Sequence, residues 1–304
     1  MIRKRRINNP FDFAFGIMYN EYAKELHEEL EIPGIFRRKS NVKVRRKNGK
    51  VLEMDASYVV DHDFKELFES AVVNLEHQST LVDDSKIIII GDYNIQQISD
   101  ERLPPLNVIA SHLNEEKSVK EYKRTPTYST KLMFLDLGPQ NNQKRLSNVS
   151  NIINYHEESI TINNALNLGI IVLFAPRDNA RAITRQVVSL YKKIKNKPKK
   201  LEYVLYSVIT AMIDAYFDDE DEFQELMEMI NNETEDEVIG KFETEIISEN
   251  KIRELKQELE VFASENEQVV SENSQLRSEN EQVVSENSIL KAEIQELKNQ
   301  LNNK

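Results

Sequence analysis

Residues 53–80 read EMDASYVVDHDFKELFESAVVNLEHQST, and the fold turns on how this stretch is divided. Two apolar runs, ASYVV and AVVNLEH, flank a polar connection, and both carry the β-branched and aromatic residues that strands favour. Side chains alternate faces along a strand, so Glu76 and Gln78 share one face, with Val72 and Asn74 below them. His77 points the other way, with Val73 and Leu75, into apolar packing. If the two strands pair, Asp55 comes beside Glu76. Two carboxylates and a neutral oxygen donor on one face suit a hard divalent cation, Mg²⁺ (or Mn²⁺). That reading requires both carboxyl groups to share a face and to stand clear of basic side chains in a packed interior.

At Asp55 and the LEHQST run of residues 75–80 the chain resembles the PD-(D/E)XK nuclease superfamily. Within it the match is to the Rpn-type branch, the recombination-promoting nucleases associated with transposases. That branch carries an Asp near the end of one strand and Glu-x-Gln, often within EHQS, on the next. The resemblance extends over roughly residues 9–193, and its specific part is this short stretch. It implies an α/β fold with a mixed central sheet flanked by helices, DNA as substrate, and a link to recombination or mobile elements. It further implies that Asp55 and Glu76 are catalytic and hold the metal, with the backbone carbonyl of His77 as an added ligand. Gln78, the third catalytic residue, stands where the superfamily pattern has Lys. An amide is neither a base nor a cation, so its part is restricted to orienting water. In the wider superfamily a helix before the sheet often supplies a further acid, for which Glu21 and Glu25 are the candidates here, against the alternative that both lie on a solvated helix face. The resemblance also implies a helix around Tyr93 that crosses over the sheet and helps to line the cleft.

Outward from this centre, residues 11–30 have apolar groups at helical spacing (Phe15, Met18, Tyr22, Leu26) and end at Pro33-Gly34. Residues 41–60 read as a hairpin, with Asn48-Gly49 as its turn. The basic cluster around it (Arg37, Arg38, Lys39, Lys43, Arg45, Arg46, Lys47 and Lys50) is either a charged sheet edge that discourages aggregation or a phosphate-tracking flank. The N-terminal arm, Arg3 to Arg6, is open to the same two readings, solvated or phosphate-contacting. Residues 81–99 fit a helix over the sheet or, through Ile87–Ile90, a buried strand. Residues 106–112 and 131–137 read as strands, and the basic stretch between them, 115–128, as a loop. Helices are expected within 146–193 and over 201–217, with an acidic amphipathic helix following.

The 304 residues, 30% of them charged, suggest a globular body with a solvated extension. Charge divides accordingly. From Asp218 to the end there are 25 acidic and 8 basic residues, a net of −17, which leaves +5 for the body out of the total −12. A mildly basic body tolerates a nucleic-acid ligand better than the whole-chain charge implies. The chain has no cysteine, which excludes disulfides, thiolate metal sites and thiol nucleophiles. No apolar run approaches the ~18 residues of a membrane span. The basic N-terminus is interrupted by Asn8, Asn9, Pro10 and Asp12, a poor signal peptide, so a cytoplasmic protein is expected.

The tail has the most regular pattern. From Ile252 through Leu255, Leu259 and Phe262 to Leu301, apolar or Asn residues recur at alternating spacings of three and four. Asn266, Asn273, Asn280 and Asn287 fall at successive a positions, inside a fourteen-residue duplication that starts at Ser264 and again at Ser278. Such heptads form coiled coils, and a buried Asn at a favours a parallel dimer. A homodimer is therefore expected, against the alternative of a single acidic helix or tail. The expected division is residues 1–40, basic arm and helix; 41–200, nuclease-like core; 201–248, acidic helical region; and 249–304, coiled coil. The function expected is a divalent-metal-dependent DNA endonuclease. Its rivals are a catalytically inactive, nuclease-like DNA-binding or assembly adaptor and a purely structural coiled-coil protein.

Overall fold

The structure is a computed structural model that describes residues 7–40, 44–45, 51–52, 56–61, 70–78, 80–125, 128–155, 160–232 and 234–302. The alternating segments assemble into an α/β fold around a six-stranded mixed sheet. Its strands are β1 (Ile35–Lys39), β4 (Ala56–Asp61), β5 (Ser70–His77), β6 (Pro105–Ala110), β7 (Ser118–Thr125) and β8 (Tyr128–Phe134), in the order β1-β4-β5-β6-β8-β7. β2 (Val44–Arg45) and β3 (Val51–Leu52) pair apart from it as a short antiparallel ribbon. β4 and β5 are antiparallel, with Ala56 opposite Leu75 and Ser57 opposite Asn74. β5 and β6 are parallel, with Asn74 beside Asn107 and Glu76 beside Ile109.

Helix α2 (Asp84–Glu101) carries the chain from β5 to β6 across one face of the sheet. The residues that left 81–99 open to two readings are resolved by the cap. Asp83 accepts a hydrogen bond from the Lys86 backbone N–H at 2.8 Å and starts a helix. Ile87 and Ile90 then pack on Ile109, Leu132 and Phe134, while Ile88, Ile95 and Ile98 face outward. Below α2 lies a buried amide cluster. Asn74 Nδ2 donates to Gln97 Oε1 at 2.6 Å and to Asn107 Oδ1 at 2.9 Å, and Gln97 Nε2 donates to Ser57 Oγ at 3.1 Å. A polar cluster of this kind fixes the register of helix on sheet, because each buried amide must find its own partner.

The opposite face is covered by α1 (Pro10–Glu29) and α4 (Ile162–Leu173). Phe15 of α1 and Phe174, just past α4, meet His77, and Tyr19 meets Tyr58. Gly169 lets α4 close on its neighbours, since a Cβ there would stand 3.1 Å from Met18 Sδ and 3.5 Å from Val208 Cγ1. Gly34, at φ 103°, makes the turn into β1 in a conformation that side chains disfavour. Behind this layer α6 (Lys199–Tyr216) is buried on every side from Leu201 to Ala215, as an all-round apolar helix must be. It packs against α1, α4, α5 (Ala180–Lys193) and α7 (Glu220–Asn231), and α3 (Pro139–Tyr155) packs on α4.

Two sequence expectations change. The stretch 115–128, expected as a loop, contains β7, whose Lys- and Glu-rich pattern suits an edge strand paired only with β8. The boundaries expected near residues 40 and 200 do not separate packing units, because α1 and α6 form one helical core. The chain instead divides into residues 1–243 and 244–304. The 67-residue helix α8 (Asp236–Asn302) begins in the first unit and makes up the second. Among the described residues no helix is long and apolar enough to cross a membrane.

Asn74→Ala should destabilise the fold by about 3 kcal/mol, because it takes the Asn74 donor away from the buried Gln97 Oε1 and Asn107 Oδ1. Ile98→Ala, on the outer face of α2, should change it by no more than about 0.5 kcal/mol. Urea denaturation of the two variants measures both, and equal effects would remove the cluster's role in seating α2.

Candidate functional site

The site is built where β5 ends. Glu76 lies on the α2 face and His77 on the α1 face, as strand alternation dictates. His77 is stacked on Phe11 at 5.8 Å between ring centroids, so its side chain belongs to the aromatic core. Gln78 continues the ladder through its N–H to the Ala110 carbonyl at 2.9 Å, and its side-chain amide donates to Thr80 Oγ1 at 3.0 Å. Asp55 lies outside the described residues, as do Arg3 to Arg6 and the Asn48-Gly49 turn. The described β4–β5 ladder reaches the pair Ala56 and Leu75, next to Glu76.

Glu76 is 2% exposed. One of its oxygens, Oε2, accepts a charge-assisted hydrogen bond from Lys86 Nζ at 2.5 Å. The other, Oε1, is buried with no hydrogen-bond partner among the described residues. Burial pushes the Glu76 carboxyl above its ordinary range, the positive charge and hydrogen bond of Lys86 pull it back only in part, and the negative charge of Asp12 adds to the rise. The requirement that the carboxyl groups stand clear of basic side chains in a packed interior is therefore not met by Glu76, which is buried and paired with Lys86.

Lys86 and Asp12 are the site residues that sequence reasoning missed. Lys86 lies three residues after the Asp83 cap, so the cap that begins α2 also aims the ammonium at the end of β5. The D-D-S-K run of residues 83–86 signals a helix start, but nothing in it points to Glu76 as the partner of Lys86. Asp12 occupies the first turn of α1, with Oδ1 at 3.9 Å from His77 Nδ1. Its charge acts on Glu76. Glu21 is paired with Lys200 of α6 at 3.2 Å, and Glu25 acts on Tyr22, whose hydroxyl burial already pushes up.

Beside the site a cavity of about 100 Å³ opens among Thr80, Val82, Ile109, Ser111, Asn114 and Lys120. Ile109 is the strand partner of Glu76, and Thr80 is the hydrogen-bond partner of Gln78. Carboxyl ends of parallel strands are where open α/β sheets form their ligand crevices. Asn114 Nδ2 is buried there without a partner among the described residues. Tyr93, expected in the cleft, is buried under α2.

The basic residues of β1 are engaged. Arg37 reaches Asp61 at 3.4 Å, Arg38 reaches Glu101 at 2.6 Å, and Lys39 donates to the Asn20 carbonyl. For these three the edge reading is the better supported. His27, bonded to Tyr58 and the Gly34 carbonyl, is a core residue. Among the described residues no group of three or more His, Asp or Glu side chains stands ready to hold a metal. No protein-family model, no curated protein and no solved structure matches this chain.

The Glu76 pKa sets a pH dependence whose sign is fixed. A carboxyl raised above its unfolded value favours the fold while protonated, and that contribution is lost as pH rises through the raised folded value. Glu76→Gln should match the parent near or below the ordinary glutamate range and become the more stable chain at higher pH. Lys86→Met should do the reverse, losing about 2 kcal/mol against the parent once Glu76 is ionised. Urea midpoints followed across pH check both, and a pH-independent gap for Glu76→Gln would refute the assignment of burial as the dominant cause.

Proposed function

We propose that the chain is a divalent-metal-dependent DNA endonuclease of the PD-(D/E)XK kind, hydrolysing phosphodiester bonds at the carboxyl end of β5. The observation that carries this reading is the Glu76 carboxylate. It is held in the interior with one oxygen on Lys86 and the other without a partner among the described residues. A buried acceptor left bare costs about 1–3 kcal/mol, more for a charged group, which a cation seated against it would offset. The described β4–β5 ladder ends on Ala56 opposite Leu75, the residues that follow Asp55 and precede Glu76 in the sequence. Carboxylate oxygens, an amide and a backbone carbonyl form an all-oxygen donor set of the sort Mg²⁺ or Mn²⁺ takes.

Asp55, Glu76 and the His77 carbonyl are the groups that would hold the ion, which when bound polarises the scissile phosphate and lowers the pKa of a water. The side chains around it have separable tasks. Lys86 favours the ionised form of Glu76 against the burial that opposes it, and it brings the positive charge that Gln78 lacks, so it can offset charge on a phosphate oxygen. Gln78, tied to Thr80, orients water through its amide. The neighbouring cavity has room for part of a nucleotide, and Asn114 offers it a donor that has no partner among the described residues. A link to recombination or mobile elements belongs to the same proposal, as an inference from the resemblance at LEHQST alone.

A second reading, a catalytically inactive DNA-binding or assembly adaptor, draws on the Glu76–Lys86 pair, which closes the site partly on itself. Plasmid nicking separates the two. With Mg²⁺ or Mn²⁺ the purified chain should nick supercoiled DNA, and Asp55→Ala and Lys86→Met should each lower the rate by about 100-fold or more without unfolding the protein. DNA binding that ignores divalent ions and never leads to cleavage would establish the adaptor instead.

A further inference from the structure

Helix α8 continues through residues 244–302 as a unit of its own, and the described apolar residues of its seam are exposed. Leu259 is 69% exposed and Phe262 66%, and Leu255, Val269, Leu276, Val283 and Leu290 are likewise exposed along the same stripe. The structure assigns this stripe to a second copy of the chain: we propose a parallel, two-stranded, in-register coiled coil over residues 252–301. This is independent of whether the body cuts DNA.

Three features of the stripe select that occupant. The first is chemical. Asn266, Asn273 and Asn280 recur at position a every seven residues, and an amide buried in an apolar seam needs an amide at the same level on the other strand. A second copy supplies one at every level, whereas an unrelated apolar helix leaves them all unpaired.

The second feature sets direction. Glu272, Glu279 and Glu286 fall at position g, and Arg277 and Lys291 at position e. In a parallel pair g of one strand lies beside e of the following heptad on the other. Glu272 then meets Arg277 of the second copy, Glu286 meets Lys291, and symmetry doubles both contacts. Turned antiparallel, the strands would set the row of glutamates against itself, and like charges there repel.

The third feature sets register. The internal duplication invites slippage, since Asn still faces Asn in the middle of a shifted pair. The flanks forbid it. A shift of seven residues sets Leu259 against Asn266, and a shift of fourteen sets Ile252 against Asn266 and Leu259 against Asn273. Each such layer buries an amide with no partner. The in-register pair is the arrangement in which every described layer is matched.

The absence of native cysteine makes the test clean. Full-length Leu255→Cys, oxidised under mild conditions, should cross-link to itself nearly completely, and Ser274→Cys, off the seam, should not. Sedimentation equilibrium of the unmodified chain should give twice the chain mass. Cross-linking that appears only when Leu255→Cys is mixed with Leu297→Cys would mean an antiparallel pair and overturn the proposal. A monomer at tens of micromolar, or a trimer, would overturn it as well. Should Leu255→Cys weaken the pair, Asn273→Leu serves as the second variant: it should raise the melting temperature of the tail while allowing species larger than a dimer.

Discussion

A carboxylate in the interior must be neutralised, paired or bound, and Glu76 is only half provided for. Its Oε2 has Lys86 and its Oε1 has no partner among the described residues. Desolvation exceeds the help that Lys86 gives, which is why the carboxyl is held above its ordinary range. The rest of the site follows from how the chain tolerates that charge where it stands. The position is set by strand alternation, which sends Glu76 to the α2 face and its neighbour His77 to the aromatic packing on the other.

Holding Lys86 on target depends on α2 being seated without slip. The Asp83 cap fixes where the helix begins, the Ile87 and Ile90 side chains hold it to β6 and β8, and the amides of Asn74, Gln97 and Asn107 fix its rotation. On the other face the close approach at Gly169 and the buried α6 stiffen the layer that carries Asp12 and Phe11. Fold and site are linked at this point, since a shift of α2 along the sheet would break the amide cluster and remove the lysine together.

Much of this could be read from the chain itself. Alternation in 70–77 gave the face of Glu76 and of His77, and the apolar periodicities gave α1, α6 and the tail helix. What could not be read were contacts between segments distant in sequence. Nothing local to Lys86 marks it as the partner of Glu76, and Asp12 looks like an ordinary first-turn acid until α1 is laid against the end of β5. The strand β7 was missed because its stabilisation comes from pairing with β8, while its charged sequence taken alone resembles a loop. A burial pattern is a local property, whereas a polar partner is a tertiary one.

The central claim is that the bare oxygen of Glu76 is a cation seat, and the carboxyl itself can report on it. Carbon-13 NMR of glutamate-labelled protein, titrated with and without Mg²⁺, follows the Glu76 carboxyl directly. Without the ion it should titrate above the ordinary glutamate range, and saturating Mg²⁺ should move that titration to lower pH, because a bound cation favours the ionised form. A Glu76 signal that titrates identically in both conditions would contradict the account.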